Sequence, residues 1–164
     1  MPGQSRTLET LMLETLKDIY HAEKQILRAL PKMAKAASSD ELRNGLEQHR
    51  KETEGQIERL EKVFEALDKT PRGKTCEAMQ GLIAEGQDIM EDFSNSDALD
   101  AGLVAASQAI EHYEISRYGT LRTWAQQLGM DEAAKLFEQN LEEEKRTAAM
   151  LTKMAEAEVN RQAA

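Results

Sequence analysis

Near the middle of a long helical pattern, running from about Asp97 to Leu128, lies the stretch Ala109-Ile-Glu-His-Tyr-Glu-Ile-Ser-Arg-Tyr118. Glu114 falls four residues after Ile110 and seven before Leu121, on the face those two share, and Glu111 sits one turn back. Helical stacking therefore places two carboxylates along one apolar stripe. A carboxylate so placed costs several kcal/mol unless it is paired, protonated or bound to a cation. Two of them one turn apart point to a cation, and the other ligands must come from elsewhere in the chain.

The composition bounds what kind of chain can answer. The 164 residues are enough for one domain with a substantial core, and a single domain over 1–164 is expected. Helix formers recur throughout, prolines and glycines are few, and no period-2 run of β-branched or aromatic residues stands out, so the class is all-α. A net charge of −9 speaks against nucleic acid, which asks for a basic surface. No window approaches the ~18 apolar residues of a membrane span. The first residues, Met1 to Arg6, lack the apolar core of a signal peptide. One cysteine, Cys76, excludes an internal disulfide and suits a reducing compartment, so a cytoplasmic location is expected.

Five helices follow from the periodicity. The first runs from about Thr7 to Ala37 on a stripe of Leu8, Leu11, Met12, Leu16, Ile19, Ile26, Leu30 and Met33, with Glu23 inside the stripe and Pro31 expected to kink it. Ser38-Ser39-Asp40-Glu41 has the spacing of a capping box. The second helix reaches about Asp68, with His49 and Glu52 (or Thr53) in a gap of its stripe. Taken alone, His49 reads as a surface residue beside the charged run Arg50-Lys51-Glu52. The linker 69–74 leads to a shorter helix from Thr75 to about Asp92, which Cys76 joins as a small apolar residue. Ser96 and Asp131 are the expected N-caps of the last two long helices, and Gly129 the stop between them. The fourth long helix runs to about Asn160 and carries Glu144 on its stripe. Tight turns make two antiparallel hairpins. The linker and short helix between them can cross the bundle's length, the connectivity of a ferritin-like four-helix bundle.

Each long helix thus has an acidic residue near its middle on the face that should be apolar: Glu23, Glu52, Glu111 with Glu114, and Glu144. Any one alone reads as a solvated residue on an imperfect stripe. Four at matching depth are harder to dismiss, because buried together they would repel and take up protons unless cations were bridged between them. Carboxylates with imidazole suit iron or manganese. The hairpins also echo each other: His49 aligns with Glu144, Glu52 with Thr147, and Glu23 with Glu114.

The stretches Asp18-Ile-Tyr-His-Ala-Glu-Lys-Gln25, His49-Arg-Lys-Glu-Thr-Glu-Gly-Gln-Ile-Glu-Arg-Leu60 and Cys76-Glu-Ala-Met-Gln-Gly-Leu-Ile83 carry a resemblance to a known family. Ile110-Glu-His-Tyr-Glu-Ile-Ser-Arg-Tyr-Gly-Thr-Leu121 and Leu141-Glu-Glu-Glu-Lys145 continue it, in order, across nearly the whole chain. The chain resembles the YciE/YciF family of ferritin-like, stress-associated bacterial proteins, related to rubrerythrins and bacterioferritin. The resemblance implies a homodimer of four-helix bundles, each with a crossover helix and a dinuclear metal site. Its ligand set here is Glu23, His49, Glu52, Glu111, Glu114 and Glu144, for two metal ions, iron first and manganese as the alternative. The chain departs from the general Glu-x-x-His pattern twice: the second helix reads His49-x-x-Glu52, and the fourth reads Glu144-x-x-Thr147 with no histidine.

Three functional readings follow. One is a metal-dependent oxidoreductase acting on peroxide or oxygen, with Tyr20 and Tyr118 beside the metals. The second is a stress-related binding or structural bundle whose metal is not catalytic. The third is a bundle with no metal. For the tyrosines the plainer reading is a core position with a satisfied hydroxyl. His21 and His112 point about 100° per residue away from the neighbouring ligands and are not expected among them.

Overall fold

The computed structural model describes residues 5–164, and those residues form helices without a strand. The long helices are α1 (Leu8–Ala36), α2 (Asp40–Ala66), α4 (Leu99–Gln127) and α5 (Asp131–Met154), with the shorter α3 (Glu77–Asp92) between the pairs. A π-helical turn, Ala155–Val159, extends α5 into a last short helix, α6 (Asn160–Ala163). Pro31 lies inside α1 without ending it.

Side-chain bonds fix how the helices run. Tyr20 meets Glu61 and Ala34 meets Arg43, so α1 and α2 are antiparallel. Gln108 meets Thr152 and Arg122 meets Glu138, which makes α4 and α5 antiparallel as well. Across the hairpins, Arg59 reaches Asn140 and Glu52 reaches Thr147, while Asp100 reaches Ser38 and Tyr118 reaches Glu23. Neighbours around the bundle are therefore all antiparallel, and α3 lies along α1 and α4 as the crossover. This is the ferritin-like arrangement that the sequence pattern asks for.

The core follows the stripes. Leu16, Ile19, Leu60, Phe64, Leu103, Leu121 and Phe137 are fully buried, each contributing about 1.5–3 kcal/mol over an exposed position. Leu11 is an exception to the expected stripe and stands half exposed at the open end of α1. Close packing of the crossover depends on Gly102, where a Cβ would come within 2.5 Å of Ile89.

The helix ends differ from expectation in instructive ways. Ser39 alone caps α2 through Leu42 N, and no box with Glu41 forms. The turn is instead tied by Asp100 of α4, whose carboxylate accepts from Ser38 N at 2.8 Å and Ser39 N at 2.7 Å. Ser96 precedes the N-cap of α4, which is Ala98, and accepts from Ala98 N. Asp131 is the first residue of α5 rather than its cap. Gly129 does terminate α4: its φ of 71° is left-handed, Met130 N donates to Ala125 O, and Gly129 N donates to Gln126 O. Those two bonds make a Schellman motif. Cys76 is buried at the N-cap of α3, where its Sγ accepts from Met79 N and lies 3.2 Å from the Tyr113 hydroxyl.

Candidate metal centre

The midpoints of three helices converge on one spot. His49 of α2, Glu111 and Glu114 of α4, and Glu144 of α5 each offer a donor atom, and those atoms all lie within 4.8 Å of one another. All four residues are buried. His49 Nε2 approaches Glu111 Oε1 to 2.7 Å, yet neither ring nitrogen makes a directed hydrogen bond. Thr53, one turn on, donates its hydroxyl to His49 O and occupies the apolar gap in the α2 stripe.

Glu23 of α1 adjoins this group. Its Oε1 accepts from the Tyr118 hydroxyl, and its carboxyl is within hydrogen-bonding reach of Glu114. Glu52 stands apart. It is only half-buried, and its oxygens accept from Thr147 Oγ1 and Gln48 Nε2 while its charge faces Glu111 from the rim. Five of the six expected ligand residues are thus gathered at the centre and the sixth is at its edge.

The electrostatics are those of crowded carboxylates in a dry site. Burial, reinforced by neighbouring charges, pushes Glu23 up to about 7 and Glu111 up to about 8. Burial and the facing Glu144 and Glu23 raise Glu114 well above the usual carboxylate range, and burial with Glu111 does the same to Glu144. Both oxygens of Glu114 and Glu144, one each of Glu23 and Glu111, and both nitrogens of His49 have no hydrogen-bond partner. Buried polar atoms are normally satisfied, so a cluster of orphans asks for an occupant. Oxygen and imidazole donors fit iron or manganese.

Tyr20 does not reach the cluster. Its hydroxyl donates to Glu61, its ring packs edge-on against Phe64, and Lys24 lies over its face. His21 accepts from Cys76 N and holds the start of the crossover, and His112 is exposed. Beside the centre, α2 and α5 share a polar layer that the apolar stripes did not announce. Gln56 donates to Glu143, Asn140 donates to Gln56 O, and Arg59 bonds Asn140 and pairs with Glu143.

A bundle of antiparallel hairpins with a crossover, closed around buried carboxylates and an imidazole, defines the ferritin-like class of helical proteins. Within it, the chain belongs to the DUF892 family, a domain of unknown function, whose pattern matches residues 7–164. It is 46% identical to protein YciF of Escherichia coli (strain K12) over 160 residues, which span 96% of each chain. The crystal structure of the E. coli stress protein YciF superposes with a TM-score of 0.90 at 44% identity, covering 95% of this chain and 99% of that one. YcfI of Rhodopseudomonas palustris, described as a candidate structural protein, gives a TM-score of 0.88 at 46% identity, with 92% and 98% covered. No helix among the described residues is long and apolar enough to cross a membrane.

Proposed function

We propose that the chain is a stress-response protein holding a dinuclear metal centre that reacts with a small oxidant, oxygen or peroxide. The observation that carries this reading is the set of buried donor atoms on His49, Glu111, Glu114, Glu144 and Glu23 that no hydrogen-bond donor satisfies. His49, Glu111, Glu114 and Glu144 would be the central ligands, Glu23 would complete them from α1, and Glu52 would close the set from the rim. Four buried carboxylates carry four formal negative charges, which two divalent cations balance. Iron, or manganese as the alternative, would supply redox chemistry toward the oxidant. The protein's own part is to exclude water, to hold the carboxylates at one depth, and to steer Glu23 through the Tyr118 hydroxyl. The similarity to YciF of E. coli, a stress protein, favours this role. A homodimer working in the cytoplasm is the setting we propose, in keeping with a lone buried cysteine.

Elemental analysis of protein purified without chelator tests the centre. The expected result is about two metals per chain and a melting temperature raised by Fe²⁺ or Mn²⁺. Less than about one metal per chain, with no thermal response, would sink the reading. Stopped-flow addition of hydrogen peroxide to the reduced, iron-loaded protein tests the chemistry through spectral oxidation of the metal. The structural description of YcfI supports a second reading, a bundle that binds metal only for stability. That reading expects metal and a thermal response, without oxidation by peroxide. Mass measurement in solution decides the dimer.

A further inference from the structure

Between α1 and α3 the surface opens into a groove of about 270 Å³. Ile83 and Met90 of α3 form one wall, and Ala29, Met33 and Ile110 form the inner side. Behind the same three residues lies a second void of about 10 Å³, lined on its far side by His49, Glu111 and Ser107. Groove and void share those three side chains, which stand between the surface and the imidazole edge of the carboxylate cluster. About 10–15 Å³ of such space holds one water-sized molecule. Met33, unbranched and polarizable, is the kind of side chain that can move aside without disturbing its neighbours.

The lining selects by charge. Arg28 and Lys32 stand exposed on the groove, and neither pairs with a carboxylate among the described residues. A cation approaching here meets two like charges, whereas an uncharged molecule meets no such barrier. Further in, Ile26 and Leu30 make the void's wall apolar. The buried Ser107 hydroxyl, which has no hydrogen-bond partner, supplies one polar contact beside Glu111.

We propose that this groove and void form an access route to the cluster for a small uncharged molecule of the dioxygen class, gated by Met33 with Ala29 and Ile110, and closed to metal cations. The inference rests on the metal-centre reading for its purpose, but the route is measurable on metal-free protein.

Dioxygen is itself the probe. Dissolved under pressure, it speeds methyl-proton relaxation wherever it penetrates. The methyls of Ile26, Met33 and Ile110 are expected to relax severalfold faster than those of the equally buried Leu60, Leu103 and Leu121. Ala29→Phe, whose ring would plug the groove, is expected to abolish the difference while leaving metal content at the wild-type level. Uniform relaxation across all these methyls in the wild-type chain overturns the route, a result that needs no variant to fold. Loss of metal from a folded Ala29→Phe chain overturns the exclusion of cations. Metal-free protein gives the relaxation result, so failure of the route and failure of the metal centre are separate observations.

Discussion

Tyr118 and Glu23, 95 residues apart in sequence, meet hydroxyl to carboxylate at 2.5 Å in a fully buried site. The bond satisfies one oxygen of Glu23 and leaves the other without a hydrogen-bond partner. Tyr118→Phe removes the hydroxyl that donates to Glu23 and keeps the ring's packing. The metal-free protein is expected to lose about 1–3 kcal/mol of stability in urea unfolding, because a buried acceptor is orphaned.

The same crowding sets a pH dependence. Glu111 and Glu23 titrate at about 8 and about 7 when folded, against an ordinary 4.5. The folded chain therefore holds more protons than the unfolded chain across that interval, and stability falls as pH rises through it. Each such proton contributes a slope of about 1.4 kcal/mol per pH unit at most. Chelator-treated protein should melt at a higher temperature near the acid end of this window than near its upper end. Added Fe²⁺ or Mn²⁺ should reverse the trend, since the ion displaces those protons and binds better as pH rises.

Substitution of the two stacked carboxylates should separate metal binding from stability. Glu111→Ala and Glu114→Ala are each expected to lower metal content measured by elemental analysis. Glu114→Gln, close in shape, should lower metal content and raise metal-free stability by about 1 kcal/mol or more, because an amide does not have to be held protonated against its ordinary range in the dry site. Full metal content in both alanine variants would place the centre elsewhere.

Asp100 binds Ser38 N and Ser39 N at one end of the bundle, far along the chain from either. Two part-buried, charge-assisted bonds hold the α1–α2 turn to the start of α4. Asp100→Ala should cost about 2–4 kcal/mol in chemical unfolding. Asp100→Asn, which keeps an acceptor oxygen, should recover part of that. Neither should change metal content, because the site lies half a helix away.

Much of this molecule is present in its periodicities. Glu23, Glu111, Glu114 and Glu144 sit at helical spacing from apolar neighbours, and helical geometry alone sends them inward. Gly129 and the breaker-rich linker 69–74 are local signals with local causes, and they mark the turns correctly. What the pattern could not resolve is decided by distant partners. Glu52 and Thr53 compete for one gap in the α2 stripe. Packing takes Thr53 inward because its hydroxyl finds His49 O, while Glu52 turns to Thr147 and Gln48 at the rim. Asp100 caps a turn some 60 residues away, so the serines there gave a cap signal and hid its true partner. Tyr20, three residues before Glu23, is drawn off to Glu61 on the neighbouring helix. Gln56, Ser107 and Asn140 also sit at helical spacing from buried neighbours, but as polar residue types common on surfaces they gave no sign of their burial.

The antiparallel order of the helices has one more effect. The positive and negative ends of a helix macrodipole act within about its first or last turn, and neighbouring helices here point in opposite senses. His49, Glu111, Glu114 and Glu144 lie near the midpoints of their helices, beyond that reach, where opposed dipoles cancel. The backbone therefore lends the carboxylates no positive potential. Whatever neutralises them must come in from outside and sit among them, so a cation held there would owe its affinity to side chains alone, open to tuning one residue at a time without touching the scaffold.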